Sequence, residues 1–376
     1  MNDEALPEAD RAAGAPHPRE TSQLFGQETA EKAFLEAVNS GHLHHAWLLT
    51  GPQGIGKATL AWRMARFLLA KAPEDAGMLG DAPAPPASMD ISPDHPVAAR
   101  IAALSEPGCM LIRRAWDADR KRLKAQITVD EVRQLNAFFG LSSTDGGHRV
   151  VIVDSVDEMN PSAANAILKV LEEPPKNAVL ILISHQPARL LPTIRSRCRT
   201  LRLSSLSPDN LSLALSSFDI ESTPVLSELA HGSVGEALRL DALGGPEIYG
   251  DIIKLLDGAP SMDRQALRAF AEKATARGAE ERLALTIRLT DLALVRLART
   301  AAGMPPANDA ANGEAEVLMR LGSGADAARK WADLQQELSA RIAHGRGVNI
   351  DAQSLLVDAF LQINEAAGTK ASSLPS

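Results

Sequence analysis

The sequence predicts an α/β domain, a parallel sheet covered by helices, followed by an all-α region. Three observations predict it. Short apolar runs alternate with helical stretches through Leu203, the pattern of parallel strands joined by crossover helices. A glycine-rich loop, Gly51-Pro52-Gln53-Gly54-Ile55-Gly56-Lys57-Ala58, lies between one apolar run and one helix. From Pro208 onward the strand-like runs cease and amphipathic helices take over.

In chain order, residues 1–20 are rich in Ala, Pro, Glu and Asp and are expected to form a disordered tail. Residues 29–38 read as a helix, and His45 to Thr50 is an apolar run in strand position. Lys57 to Leu69 places Leu60, Ala61, Met64, Phe67 and Leu68 on one helical face. Residues 72–108 are dense in Pro, Asp, Ala and Gly and read as a flexible insertion. Cys109 to Arg113 is a second strand. Thr128 caps a helix that reaches about Phe139, and Glu131 completes a capping box. Asp145-Gly146-Gly147 turns the chain into the strand Arg149-Val150-Val151-Ile152-Val153-Asp154. Asn160-Pro161 opens a helix with Ala164, Ile167, Leu168 and Leu171 as its apolar stripe, and Pro174-Pro175 ends it. A fully buried strand at 179–183, a short helix at 188–194 and a fifth strand at 199–203 follow. Short helices fill 208–243. Longer ones include 283–298 and 327–343, with a Pro/Gly/Asn-rich break at 303–313.

Composition excludes several functions. The formal net charge is −8, so no global basic field holds nucleic acid, and any DNA role is local or indirect. Aromatics are 3% with a single tyrosine, which argues against a base-stacking platform. The two cysteines, Cys109 and Cys198, cannot build a disulfide framework or a four-cysteine zinc site, and they suit a reducing compartment. No signal peptide and no membrane-length apolar stretch can be read, so a cytoplasmic protein with no membrane partner is expected.

The glycine loop departs from the phosphate-binding pattern at its last position. The pattern needs a hydroxyl after Lys57, because that oxygen ligates Mg²⁺. Here Ala58 occupies the place and Thr59 follows one residue late. Gly51, Gly54, Gly56, Lys57, Ala58, Thr59 and Asp154 are the candidate residues of this degenerate nucleotide site. Asp154 closes its strand as a Walker B acid would, but the next position, where a water-activating glutamate would stand, is Ser155. Asp157 and Glu158 lie beyond the strand end, on what reads as a solvated turn. His42, His44 and His45 precede a buried strand and read as local positioning groups, not as a metal cluster. Arg113, Arg114, Arg120, Lys121, Arg122 and Lys124 form a basic run that Asp117 and Asp119 interrupt, which reads as a solvated surface.

Phe25-Gly26-Gln27, His45 to Gly51, Asn165-Ala166-Ile167-Leu168-Lys169, Leu171-Glu172-Glu173-Pro174-Pro175 and Ser196-Arg197-Cys198 together resemble the clamp-loader AAA+ family of the bacterial replicase. The resemblance covers residues 23–245 well and the C-terminal region loosely. It implies an AAA+ P-loop domain at 21–207, a helical lid at 208–245, a helical collar domain for oligomerisation at 247–366 and a tail at 367–376. It implies that Arg197 is an arginine finger, reaching across a subunit interface to a neighbour's ATP, with Ser196 and Cys198 as its motif neighbours. Guanidinium neutralises charge that develops on the γ-phosphate.

ATPase members of the family carry the hydroxyl, an Asp-Glu pair and a Gly-Ser-x-Arg turn. This chain has Ala58, Ser155 and Gly232-Ser233-Val234-Gly235, and its sensor-1 position offers Ser184 and His185. The implied role is a non-hydrolysing stator that requires no cofactor and holds any ATP or ADP without turnover. Its partners would be ATPase subunits of the tau/gamma type and the delta subunit, with the sliding clamp and primed DNA met through the complex. Nucleotidyl transfer would belong to the holoenzyme's polymerase subunit. Many members carry a four-cysteine zinc module where this chain has residues 72–108, so zinc is not expected. The rival readings are an active ATPase subunit, with Thr59 supplying the hydroxyl, and a helicase-loading or repair adaptor.

Overall fold

The computed structural model describes residues 7–12, 14–70, 85–140 and 147–368. The expected turn residues Asp145 and Gly146, the first part of the 72–108 insertion and most of the 367–376 tail lie outside these. The chain packs as two units. One is built from the chain up to Asp219 together with Gly232–Glu236, the other from Ile220–His231 and the chain from Ala237 onward. The boundary falls inside 208–245, the segment expected as a lid.

The first unit runs α1 (Glu28–Asn39), β1 (Ala46–Thr50), α2 (Lys57–Ala70), α3 (Pro96–Ala102), β2 (Cys109–Ile112), β3 (Trp116–Asp117), β4 (Arg122–Leu123), α4 (Val129–Gly140), β5 (Arg149–Asp154), α5 (Pro161–Glu172), β6 (Ala178–Ser184), α6 (Pro192–Arg195), β7 (Arg199–Arg202) and α7 (Pro208–Ser216). Five strands form one sheet in the order β2-β5-β6-β1-β7, and every pairing is parallel. β1 and β6 are buried along their whole length and β5 in its middle. Helices cover both faces of such a sheet, so its inner strands read as continuous apolar runs and not as alternating ones. Asn160 Oδ1 caps α5 by accepting from the Ala163 amide at 2.8 Å. The Glu131 carboxylate reaches back to the Thr128 amide at 2.7 Å and also accepts from the Thr128 hydroxyl, so the glutamate half of the expected capping box is present at α4.

Three sequence expectations need correction. Residues 7–20, where described, are not a disordered tail. His17 is fully buried, paired with Asp10 at 3.0 Å and set edge-on to Trp62 of α2. Arg66 of α2 donates to the Arg19 and Thr21 carbonyls at 2.8 Å each, and Arg113 pairs with Glu8 and Asp10. The acidic composition that suggested disorder is matched by cations of the folded domain. Second, the described part of 72–108 contains α3, capped by His95, with Val97 and Ile101 buried. Third, the helix expected at 188–194 is divided into a 3₁₀ turn at Pro187–Arg189 and the short α6, because Pro192 cannot continue a preceding helix. The basic run lies at the surface as expected, with Arg120, Lys121 and Arg122 exposed, and it includes an antiparallel β3–β4 hairpin. Much of it is paired: Arg114 with Glu158, Lys124 with Glu131, and Arg120 with Asp117.

The second unit is helical: α8 (Pro224–Ala230), most of α9 (Val234–Leu243), α10 (Gly245–Asp257), α11 (Arg264–Ala274), α12 (Glu280–Ala301), α13 (Glu314–Leu321), α14 (Ala327–Gly347) and α15 (Ala352–Gly368). α12 contains the expected helix 283–298, α14 contains 327–343, and the expected break separates α12 from α13. α12 is the hub, packing on α10, α13 and α14.

Candidate functional site

The loop after β1 is held in its curl by the chain's own groups. Lys57 Nζ donates to the Gly51 carbonyl at 2.7 Å and to that of Pro52. The Gln53 carbonyl accepts from Ser233 Oγ at 2.9 Å and that of Gly54 from the Gly235 amide at 2.9 Å. Gln27 Nε2 donates to the Ile55 carbonyl at 3.2 Å and to that of Ser204 at 2.8 Å. Gly54 has φ 76°, and a Cβ there would stand 2.4 Å from Ser233 Oγ. A Cβ at Gly235 would lie 3.0 Å from Gly54 Cα. A side chain at 235 would therefore press on the loop backbone, which would have to give by a few tenths of an ångström. The glycine lets the turn seat flush.

Lys57 is buried, and burial lowers its pKa to about 8 against the opposing pull of Asp154 and Asp157. Asp154, at the end of β5, is pushed up to about 7 by burial, Asp10 and Glu158, with Lys57 and Arg113 opposing. Ala58 brings no oxygen. Thr59 is one residue further along α2, rotated by about 100° from that position. The loop, the α2 N-terminus and Lys57 fit a phosphate group. The set lacks the hydroxyl that would ligate Mg²⁺ after the lysine, because Ala58 stands there.

The position after Asp154 is filled by the buried Ser155. Asp157 is not on a solvated turn. Its carboxylate accepts from Ser184 Oγ at 2.8 Å and from the His185 and Gln186 amides, which ties the turn after β5 to the end of β6. Glu158 pairs with Arg114 at 3.0 Å. His185 is pushed down to about 4 by burial and by Lys57, so at neutral pH it is an uncharged, weak base. No carboxylate in this group stands free to activate water.

Ser196, Arg197 and Cys198 lie between α6 and β7, at the other end of the sheet. β7 starts at Arg199, level with Trp47, whereas the loop leaves β1 beyond Thr50, level with Arg202. Three steps along a strand separate these levels, about 10 Å. Arg197 thus sits at the N-terminal edge of the sheet and the loop at its C-terminal edge. The Arg197 guanidinium, about a third exposed, donates from Nη1 to the Thr193 carbonyl at 3.0 Å and pairs from Nη2 with Glu172 Oε1 at 2.8 Å. Ser196 Oγ donates to the same carbonyl at 3.2 Å. Cys198 packs against the sheet core, and burial pushes its thiol up to about 12, which leaves it unreactive.

The structure therefore brings Gly51, Gly54, Gly56, Lys57, Ala58, Thr59 and Asp154 together and keeps Ser196, Arg197 and Cys198 apart from them. The histidines act locally: His44 Nδ1 lies 2.8 Å from the Ala46 carbonyl and His45 Nε2 3.1 Å from that of Leu171. Sequence reasoning missed the brace from Ser233, the use of Asp157 and the approach of Asp10 to Asp154. None of these has a local periodicity. Gln27 was visible only as part of a motif.

The resemblance read from the motifs holds. Residues 26–207 match the family model described as DNA polymerase III, delta subunit. The DNA polymerase III subunit delta′ of Pseudomonas aeruginosa is 35% identical over 60% of this chain and 63% of its own length. Subunit delta′ of Escherichia coli is 29% identical over 61% and 60%, and subunit gamma of Buchnera aphidicola 28% over 59% and 58%. The chain thus spans about three-fifths of the length of the curated relatives it matches. A solved structure of a DNA polymerase III gamma-subunit-related protein from Thermotoga maritima aligns with TM-score 0.44 and 16% identity, covering 89% of this chain and 99% of that one. The architecture is a parallel five-stranded sheet with helices, followed by a helical region.

Proposed function

We propose that this chain is a non-hydrolysing stator of a clamp-loader complex, of the delta′ kind, which supplies Arg197 in trans to the ATP site of a neighbouring subunit. The observation that carries this reading is the placement of Arg197. It lies at the opposite edge of the sheet from the chain's own phosphate loop, out of reach of any nucleotide held there, and its head is solvent-accessible. The loss of the hydroxyl at 58, the serine at 155 and the commitment of Asp157 support a silent local site.

In this reading the chain's own loop holds a nucleotide phosphate, if any, by backbone amides and Lys57, without turnover. The partners are tau/gamma-type ATPase subunits and a delta subunit, which engage the helical 247–366 region as a collar. The complex acts on a sliding clamp and primed DNA in the cytoplasm. Within the neighbour's site, Arg197 would neutralise charge on the phosphoryl group as it leaves.

The test is clamp- and primer-stimulated ATP hydrolysis by the reconstituted loader, wild type against Arg197→Ala, with the isolated chain as control. Loss of hydrolysis with assembly intact, and a silent isolated chain, is the expected result. Turnover by the isolated chain would support the rival active-ATPase reading instead.

A further inference from the structure

The head group assigned to a neighbour's phosphate is already engaged within its own chain. Both terminal nitrogens of Arg197 are in use, one on the Thr193 carbonyl and one on the Glu172 carboxylate. These are the nitrogens a guanidinium presents when it grips two oxygens of a phosphate. Glu172 is the last residue of α5 and Arg197 follows α6, so two separate elements bring the pair together. Among the described residues Glu172 makes no other side-chain hydrogen bond or ion pair, and its side chain is 49% exposed and that of Arg197 35%. An ion pair so open to water holds weakly and exchanges readily.

We propose that Glu172 is a positioning residue that keeps Arg197 in a resting pose, and that the phosphate of a neighbouring subunit's nucleotide displaces it. The proposal rests on the finger reading above. A carboxylate and a phosphate offer the same anionic acceptor oxygens, so the step is an exchange of one acceptor for another. The Thr193 carbonyl holds the second nitrogen whichever anion is present. The arginine is thereby kept at the sheet edge through the exchange. Glu172 competes with the neighbour's nucleotide for Arg197, which damps hydrolysis in a loader that has not yet met clamp and primed DNA.

The experiment measures ATP hydrolysis by the reconstituted loader, with and without clamp and primed DNA, for wild type, Glu172→Gln, Glu172→Asp and Arg197→Ala. Light scattering checks assembly of each. Glu172→Gln should raise unstimulated hydrolysis about two- to fivefold, the range expected for an exposed ion pair, and leave the stimulated rate unchanged. Glu172→Asp, which keeps the charge, should stay nearer to wild type. A merely structural role would lower both rates, the opposite sign. If Arg197→Ala silences the loader while Glu172→Gln leaves the unstimulated rate unchanged or reduces it, the resting pose is wrong and the finger stands. If Arg197→Ala has no effect, the finger reading fails and takes this proposal with it.

Discussion

Two arginines of this chain each hold carboxylate and carbonyl oxygens, one away from water and one in it. In the second unit, Arg296 of α12 holds Glu314 through Nε at 2.7 Å and Nη2 at 3.0 Å, Glu228 through Nη1 at 2.8 Å and the Asn308 carbonyl at 2.7 Å. Tyr249 Oη donates to Glu314 Oε1 at 2.6 Å, and the Ala310 amide donates to its second oxygen at 2.6 Å. In the first unit, Arg197 holds a single carboxylate and a carbonyl. The difference is water. The Arg296 side chain is 5% exposed and that of Glu314 fully buried, against 35% and 49% for Arg197 and Glu172. Burial works against the Arg296 charge, and its carboxylates more than offset this, so its pKa lies above the usual arginine value. A desolvated arginine cannot leave its partners without stranding charge, so it fixes the α12–α13 connection. A solvated one can leave at little cost, as the finger role proposed for Arg197 requires.

The comparison breaks most visibly at Arg197 itself. Arg197→Ala should reduce stimulated hydrolysis by the loader on the order of 10³–10⁵-fold. Its unfolding free energy should stay within about 1 kcal/mol of wild type in urea. A stability loss as large as the one expected at Arg296 would place Arg197 among the structural residues. Next, Arg296→Ala should lose about 3–5 kcal/mol in the same unfolding measurement, because Glu314 would be left buried and unpaired. A loss under about 1 kcal/mol would mean that burial does not separate the two arginines.

A third charge sharpens the point, since Asp154 is partly buried and has no tight cation. Its pKa in the fold, about 7, lies above the ordinary aspartate value of 3.8. The unfolded chain therefore ionises it first, and the folded state loses stability as pH rises from about 4 to about 7. Asp154→Asn should melt higher than wild type at pH 8, by a few degrees on the order expected for a domain of this size, and equally at pH 4. Scanning calorimetry at the two pH values checks it; a gain at pH 4 alone has the wrong sign. The smallest effect belongs to an ordinary cap. Thr128→Ala should cost about 1 kcal/mol of stability and leave loader hydrolysis intact.

The sheet was legible because strands buried on both faces leave an unbroken apolar signal, as in Val179 to Ile183, and because proline and glycine punctuate it. The loop glycines, Asp154 and Arg197 were legible as motifs, since each needs a fixed residue type at a fixed spacing. The segment around His17 was not. Its stability comes from Arg66, Arg113 and Trp62, which lie far away in sequence, and composition alone argued for disorder. Asp157 misread as a solvated acid for the same reason: its donors are on β6.

By itself, the sequence determined the strand–loop–helix order, the absence of a hydroxyl at 58 and of an acid at 155, and the presence of an arginine just before the last strand. These are statements about which atoms exist and in what order. Only the tertiary structure decided where Arg197 stands relative to its own loop, because parallel pairing places the start of β7 at one edge of the sheet and the end of β1 at the other. It alone decided that Gly235 seats against Gly54 and that Glu172 meets Arg197. It also decided which of two similar arginines is dry. Desolvation and register are properties of distant chain segments brought together, and no local pattern of residues encodes them.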